Sequence, residues 1–251
     1  ELAPAKINLA LDILGRRADG YHELRMVMQT VSLCDVITVE GGGTGFTLLT
    51  GEAFSLPADK VSMEQRAAEA FFAALGVPVP PLTVRLEKNI PAFAGLGGGS
   101  ADVAALLRCL RRLYAAGMPD EALRAIGLTV GSDVPFCVSG GTSLAEGRGE
   151  RLTDLPPLPV CQIVLCKPDF GISTPELFVL ADGAVLSKRP DIAGLTAALQ
   201  GGELTGVTDR LCNVFEEFLP ERYQEVFRIK EILLAHGALN AAMSGSGPTV
   251  Y

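Results

Sequence analysis

The sequence is poor in the residues that hold most transition metals and that act in histidine-based catalysis. It has two histidines, His22 and His236, and its six cysteines are scattered without a C-x-x-C pair. Histidine metal sites, histidine-containing triads and zinc clusters are therefore poorly supplied. Several cysteines lie among apolar neighbours, which favours free thiols in a reducing, cytoplasmic setting over a disulfide framework.

Long apolar runs and an excess of positive charge are also lacking. No run approaches the roughly 20 apolar residues that a membrane helix needs, and no signal peptide is visible. The net charge of −8 argues against a general nucleic-acid surface. An anionic ligand would have to be met by a local positive site instead. There are no internal repeats and no low-complexity tracts.

What is present is the composition of a folded soluble protein. The chain has 251 residues, of which 48% are hydrophobic and 20% charged, enough for one large domain or two small ones. Apolar–polar alternation and β-rich runs predict strands over residues 4–13, 27–39, 47–50, 82–90, 142–152, 160–166 and after Pro248. Helical spacing predicts helices over residues 62–75, 101–115, 120–127, 175–180, 192–199, 207–218 and 221–236.

These elements predict an α+β fold. The segment 156–159 carries three prolines, which disfavour both helix and central strand, so we expect two lobes joined near residues 150–160. The chain starts without methionine and stops at Tyr251 as a strand begins, so we expect flanking residues at both ends.

The most informative stretch is a glycine-rich loop. Glycine lets a ligand approach the main chain closely, and the loop opens into a predicted helix whose start Ser100 and Asp102 are expected to cap. Such a loop binds anions, usually phosphate. It is neither a Walker A loop, since no lysine follows the glycines, nor a dinucleotide fingerprint, which needs glycine where Ser100 stands. Its residues are Pro91, Ala92, Phe93, Ala94, Gly95, Leu96, Gly97, Gly98, Gly99, Ser100 and Ala101.

Two polar positions could carry chemistry. Lys6 and Asn8 lie on the polar face of an apolar strand, which is either the wet face of an edge strand or a positive group presented into a cleft. Asp133 precedes a Val-Pro step, where it is either a helix N-cap or a carboxylate near a lysine. In the second case it stays ionised and can accept a proton from a hydroxyl.

Two further loops have a plain and a functional interpretation. Tyr21 and His22 follow a turn signal and form either loop surface or a surface on which a planar base stacks and bonds. A second glycine-serine loop is weak evidence alone, but with the first it suggests a second wall of a phosphate site. Its residues are Ser244, Gly245, Ser246 and Gly247.

In this order the motifs resemble the GHMP kinase superfamily: a Pro-x-Lys-x-Asn strand, a Pro-led Gly-Leu-Gly-Gly-Gly-Ser loop and a late Ser-Gly-Ser-Gly loop. Within it the sequence is similar to the family of 4-diphosphocytidyl-2-C-methyl-D-erythritol kinases. That likeness is carried by residues 4–9, 15–24 and 131–136 and runs through nearly the whole chain. The Asp-Gly-Tyr-His and Ser-Asp-Val-Pro-Phe segments are its specific part.

The resemblance implies a two-lobed fold, with an N-terminal lobe like domain 2 of ribosomal protein S5 and a ferredoxin-like α/β C-terminal lobe. The ATP-binding N-terminal domain would cover residues 1–153. The C-terminal domain would cover residues 154–251 and be incomplete, because the family's last strand and helix would lie beyond Tyr251.

The resemblance also implies a reaction, the transfer of the γ-phosphoryl group of ATP, with Mg²⁺, to the C2 hydroxyl of the methylerythritol moiety. Asp133 would accept the hydroxyl proton, and Lys6 would hold Asp133 ionised near the reacting oxygen. Residues 91–101 would wrap the ATP phosphates, and Lys88 would lie near the nucleotide. Ser100 is a candidate Mg²⁺ contact, or only a helix cap.

On the substrate side, the likeness makes Tyr21, His22 and Phe178 the cytosine-binding wall and Asn8 a contact to a substrate hydroxyl. Two segments depart from the family pattern. Ser62-Met63 stands where the family usually has Asn-Leu next to the adenine, and the loop carries Ala92-Phe93-Ala94 where other or smaller residues are common.

Two alternatives stay open. A sibling kinase would act on mevalonate, homoserine or a sugar, but such kinases lack the Asp-Gly-Tyr-His loop. A silent nucleotide-binding protein of this fold should have lost Lys6 or Asp133. We expect a small-molecule substrate and ATP as partners, neither nucleic acid nor membrane, and a cytoplasmic monomer or weak homodimer.

Overall fold

The computed structural model describes residues 1–51 and 61–251. Over these residues it forms seven strands: β1 (Leu2–Arg16), β2 (His22–Gly41), β3 (Phe46–Thr50), β4 (Leu82–Glu87), β5 (Thr142–Gly147), β6 (Arg151–Asp154) and β7 (Cys212–Asn213). It also forms the helices α1 (Met63–Ala74), α2 (Gly98–Tyr114), α3 (Asp120–Leu128), α4 (Val134–Ser139), α5 (Thr174–Ala181), α6 (Ile192–Gly201), α7 (Leu204–Thr208) and α8 (Glu225–Ala235). Two short 3₁₀ helices cover Val214–Phe218 and Glu221–Tyr223.

The chain divides into two compact units, each built of several segments. Unit 1 comprises Glu1–Ala5, Val31–Ile90 and Gly97–Gly140, and unit 2 comprises Lys6–Thr30, Pro91–Leu96 and Gly141–Tyr251. The predicted domain boundary between residues 153 and 154 stays a prediction. The predicted α+β class is confirmed.

Unit 1 combines three strands with four helices. β4 lies between β3, which runs parallel to it, and the second half of β2, which runs antiparallel with Val36 opposite Glu87. Helices α1 and α2 pack together, and α4 packs on α2 and α3. The core is filled by large buried side chains that recur at helical spacing, among them Phe71, Phe72, Leu106, Leu107 and Leu110.

Unit 2 contains the remaining strand ladders and helices α5 to α8. The first half of β2 pairs antiparallel with β5, with Leu24 opposite Gly147, and β5 forms a hairpin with β6. β1 pairs in parallel with the short strand β7, with Ala10 opposite Cys212. The predicted strand at 4–13 is confirmed, and the β-structure predicted at 142–152 is the hairpin of β5 and β6.

The edge-strand interpretation of β1 is wrong. The polar face of β1 is buried like the apolar face, since the exposed fraction is 5% for Lys6 and 1% for Asn8. In the strand order β1 also has β2 on one side and β7 on the other, so it is not an edge strand. A buried lysine and a buried asparagine must be satisfied by protein or ligand groups, so this face points to function.

The predicted helix over 207–218 is also wrong. In its place the chain has α7, the strand β7 and a 3₁₀ helix. The break falls around Asn213, whose side-chain oxygen accepts from the backbone N–H of Phe215 at 3.1 Å. Asparagine competes in this way with the regular helix pattern.

The segment 160–166 is not a strand in the described structure. Among the described residues, the segment has one hydrogen-bonded neighbour, Val250, which forms a bridge with Cys166 through backbone bonds of 2.8 and 3.0 Å. Val160 and Val164 are exposed, so these apolar side chains do not pack as those of a buried strand would. The predicted final strand after Pro248 is likewise reduced to bridges made by Val250.

Helix α2 begins earlier than predicted, and its cap is different. The N-cap residue is Gly97, in the left-handed conformation with φ of 69°, and no side chain caps the helix. Ser100 and Asp102 lie inside the first two turns instead of capping them. Glycine is favoured here because its left-handed backbone carries no Cβ penalty. The helix therefore starts with bare N–H groups.

Candidate functional site

In unit 2, the buried polar pair on β1 forms a bonded site. The Lys6 Nζ donates to Asn8 Oδ1 at 2.7 Å, and the Asn8 amide donates to the sulfur of Met26 at 3.4 Å. The hydroxyl of Tyr251 donates to the backbone carbonyl of Asn8 at 2.8 Å. β1 thus presents a lysine whose ammonium is held in one place by its neighbour two residues along the same face.

The two glycine loops meet this pair inside unit 2. A Cβ atom built at Gly245 would lie 3.0 Å from the carbonyl oxygen of Gly95, 3.1 Å from Lys6 Nζ and 3.4 Å from Asn8 Oδ1. At Gly95 such an atom would lie 2.2 Å from the carbonyl oxygen of Ser244, whose own hydroxyl donates to the Gly95 carbonyl at 3.0 Å. The structure therefore brings together three motifs that are far apart in the sequence.

Sequence reasoning missed the residue that fastens the second loop. The buried Asn213 donates its amide hydrogens to the carbonyl oxygens of Met243 and Gly245, each at 2.7 Å. No signal marked Asn213, because it lies within a segment predicted as helix. At the other end of the loop, the Ser246 and Thr174 hydroxyls lie 2.6 Å apart.

In unit 1, the start of α2 adjoins the loop that carries Asp133. A Cβ atom built at Gly131 would lie 3.7 Å from Ser100 Oγ and 3.5 Å from the Met63 methyl carbon. The first N–H groups of a helix have no intrahelical partner and carry partial positive charge, so this end of α2 can bind an anion. Ser62, next to Met63, caps α1 through its hydroxyl, which accepts from Gln65 N at 3.0 Å.

Asp133 occupies the N-cap position of α4, but its side chain makes no capping hydrogen bond. The capping interpretation is therefore wrong for the side chain, although it is right about the position. Pro135, at the second helical position, starts the helix without a side-chain cap because its φ angle suits the first turn. Lys6 lies in unit 2 and Asp133 in unit 1, and their pairing stays a prediction.

Lys88 joins two buried carboxylates of unit 1. Its Nζ donates to Asp35 and, at 2.7 Å, to Asp102 Oδ2. Burial raises the pKa of Asp102 to about 7, against the opposing effect of the Lys88 ammonium. Burial would lower the pKa of Lys88, but its bonds to Asp102 and Asp35 outweigh this and raise it. Sequence reasoning singled out Lys88, took Asp102 for a helix cap and missed Asp35.

The residues predicted to bind a planar base are only partly together. The rings of His22 and Phe178 stack with centroids 4.6 Å apart and an angle of 18°, too close to admit a third ring between them. His22 Nε2 also lies 2.9 Å from Asp182 Oδ1. Tyr21 is half exposed and packs under the guanidinium of Arg148, 4.6 Å from the ring centroid.

Protein ligands for a resident metal are scarce. Across residues 1–51 and 61–251, no three His, Cys, Asp or Glu side chains are placed so that they could hold a metal ion. Ser100, the predicted Mg²⁺ contact, has its hydroxyl at the start of α2. The same described residues include no helix that is long and apolar enough to cross a membrane.

Two family models match two separate parts of the chain. The family described as GHMP kinases N terminal domain matches residues 62–141, and GHMP kinases C terminal matches residues 195–251. The 4-diphosphocytidyl-2-C-methyl-D-erythritol kinase of Pelotomaculum thermopropionicum is 44% identical over all of this chain and 87% of its own length. That of Enterococcus faecalis is 41% identical over all of this chain and 88% of its own length.

Solved structures agree in fold. A crystal structure of 4-(cytidine 5'-diphospho)-2C-methyl-D-erythritol kinase is similar with a TM-score of 0.80 and 34% identity, covering 100% of this chain and 88% of the other. Homoserine kinase from Cytophaga hutchinsonii has a TM-score of 0.68 at 20% identity, over 99% of this chain and 82% of its own. The second likeness supports the fold alone.

Proposed function

Because the chain belongs to the GHMP kinases, and among them to the family of 4-diphosphocytidyl-2-C-methyl-D-erythritol kinases, we propose that it phosphorylates the C2 hydroxyl of that substrate. ATP is the phosphoryl donor, and the products are the 2-phosphate of the substrate and ADP. The reaction is an intermediate step of non-mevalonate isoprenoid biosynthesis. The observation that carries the proposal is the meeting of Lys6, Asn8 and Gly95 with Gly245. It adds a positive group to two loops of bare backbone.

Phosphoryl transfer needs positioning and charge neutralisation more than covalent help from the protein. We assign the triphosphate to the glycine loop at residues 91–101, where side chains leave the backbone accessible and the N-terminus of α2 favours an anion. The second loop, residues 244–247, supports the first from the other side through the Ser244–Gly95 bond.

We assign the role of proton acceptor to Asp133. In this step the C2 oxygen forms a bond to the γ-phosphorus, the bond from that phosphorus to the β,γ-bridging oxygen breaks, and ADP leaves. The hydroxyl proton passes to the Asp133 carboxylate. Lys6 supplies positive charge that offsets charge at the reacting oxygen. Asn8, which holds Lys6, is the further contact for a substrate hydroxyl.

Mg²⁺ fits a site with few protein ligands. It prefers oxygen donors and in nucleotide sites is held chiefly by phosphate oxygens and water with one or two protein groups. The Ser100 hydroxyl beside the Asp133 loop suits that donor set, and no group of three His, Cys, Asp or Glu side chains among the described residues could hold the ion instead. When bound, the ion would neutralise phosphate charge, and Ser100 would be its protein contact.

The cytidine end is assigned to the stacked pair of His22 and Phe178. Because these rings already touch each other, we expect the cytosine to stack on an outer face of the pair, with Tyr21 as the second aromatic contact. Aromatic rings bind bases in this way with little cost in side-chain entropy.

The test is ADP release from ATP and Mg²⁺ with four acceptors: diphosphocytidyl-methylerythritol, methylerythritol phosphate, mevalonate and homoserine. Turnover with the cytidylated alcohol alone is the expected result. Turnover with mevalonate or homoserine would replace the substrate by that of a sibling kinase. ATP binding without any turnover would identify a silent nucleotide-binding protein. We expect the enzyme in the cytoplasm. We also expect a monomer or weak homodimer, and sedimentation would measure this oligomeric state.

A further inference from the structure

Asp35 determines the path of the chain just before the glycine loop. It lies on β2 and is completely buried. Its Oδ1 accepts the backbone N–H groups of Asn89 and Ile90, the second at 2.7 Å. Strand β4 ends at Glu87, and the two amides that would continue it bond to this carboxylate instead. One side chain thus turns the chain out of the sheet at the start of the loop.

Lys88 extends this connection to α2. Its Nζ bonds to Asp35 and to Asp102 Oδ2, and Asp102 is the fifth residue of α2. The backbone also comes close here, since a Cβ atom at Gly98 would lie 3.1 Å from Ile90 Cγ2 and 3.4 Å from Lys88 Nζ. The two points at which the segment 91–96 leaves and rejoins unit 1 are therefore held side by side.

The charges of the cluster suit a structural tie better than a phosphate ligand. Two carboxyl groups face one ammonium, so the group has no net positive charge whether or not Asp102 is ionised, and it would not attract a triphosphate. Asp102 Oδ1 is buried without a hydrogen-bond partner, and a buried unpaired oxygen lowers the stability of the fold. Such a cost is common where a functional geometry is maintained.

We propose that Asp35 and Asp102 are positioning residues for ATP, which act through Lys88 by clamping the start of the glycine loop to the first turns of α2. The proposal rests on the proposed kinase function. Within unit 1, the clamp sets the distance between the backbone at Asn89 and Ile90 and the N–H groups at Gly98 and Gly99. Small errors in such a distance weaken binding of the phosphates.

The alternative is that Lys88 binds a phosphate directly, and a double-mutant cycle separates the two. The variants are Lys88→Met, Asp102→Ala, their combination and the conservative Asp102→Asn, which still offers Lys88 an oxygen. Each single removal should raise the KM for ATP about tenfold with kcat within about twofold. The double variant should be no more than about twofold worse than Lys88→Met, and Asp102→Asn should recover to within about threefold of wild type.

Losses that multiply in the double variant, or an unchanged KM for ATP in Asp102→Ala, would overturn the clamp. Asp191→Ala is the control, since Asp191, like Asp102, bonds to a basic side chain, but it caps α6. Thermal melts check folding. If Asp102→Ala does not fold, Lys88→Arg replaces it and should keep the KM within about threefold, because arginine can bond to both carboxylates.

Calorimetry on the same variants measures ATP binding directly, so the clamp can be tested separately from the proposed kinase activity. Wild-type protein that binds ATP without phosphorylating the cytidylated alcohol would contradict the function, while the pattern of ATP dissociation constants would still decide the clamp. Wild-type protein that binds no ATP would overturn both.

Discussion

At the scale of single residues, the assignment of the base rests on Asp133. It stands at the N-cap of a helix that it does not cap. Asp133→Asn keeps the shape of the side chain but removes the proton acceptor, so we expect kcat to fall by about 10²–10⁴ with little change in ATP affinity. Steady-state ADP release with calorimetric ATP binding measures both. Asp191→Asn, a true helix cap, is the control, and turnover within a few-fold of wild type in Asp133→Asn would refute the assignment.

Asp102 gives a residue-scale prediction about stability. Its pKa is raised to about 7 by burial, so the folded protein holds a proton there that the unfolded chain releases near pH 4. The stabilisation is complete below pH 4 and is lost as the pH rises through about 7. Asp102→Asn removes this titration, so the variant should gain free energy of unfolding relative to wild type between pH 5 and 8.

Urea unfolding in EDTA at pH 5, 6.5 and 8 measures this difference. A constant difference between the two proteins over that range would show that Asp102 is ionised throughout. The effect of pH on groups distant from Asp102 cancels in the comparison, because the two proteins differ at this one carboxyl.

At the scale of elements, the packing of the two loops is the feature to perturb. Gly245 has φ of 57°, and a methyl group there would press on the Gly95 carbonyl and Lys6 Nζ. We expect Gly245→Ala to lower kcat at least about tenfold, because displacement of a reacting group by about 1 Å costs on the order of 10²-fold. Gly202→Ala is matched in backbone, with φ of 66° and open space around it. Equal kcat losses in both variants would attribute the effect to strain alone.

Elements with a strong local pattern were predictable from the sequence, and those that depend on a distant partner were not. β1 alternates over its length, and α1 begins at a capping serine and is followed by Gly76, so both were predicted within a few residues. The segment 160–166 is largely apolar and was also predicted as a strand, but a strand needs a hydrogen-bonded neighbour, and there only Cys166 has one among the described residues. Asn213 ended a predicted helix because its side chain bonds to residues about 30 positions away.

At the scale of the whole molecule, substrate choice should depend on the aromatic pair. Phe178→Ala removes the ring stacked on His22, so we expect the KM for the cytidylated alcohol to rise about tenfold, with the KM for ATP unchanged, because base stacking contributes about 1–3 kcal/mol per base. Phe218→Ala is the control, since Phe178 and Phe218 both meet Phe215 edge-on, at 5.2 and 5.7 Å. An equal rise in both variants would indicate general loosening of this core.

The sequence by itself determined the chemistry available to this protein: a phosphate-binding glycine loop, a lysine in an apolar strand, an aspartate before a helix, and the family that this order of motifs resembles. These are properties of residue types and of neighbours along the chain, where periodicity and backbone preference act. Only the tertiary structure decided that β1 is buried on both faces and that Gly245 meets Gly95 and Lys6. It also decided that Asp35 and Asp102 share Lys88, because contacts between residues 14 to 239 positions apart arise from packing, and spacing along the chain does not encode them.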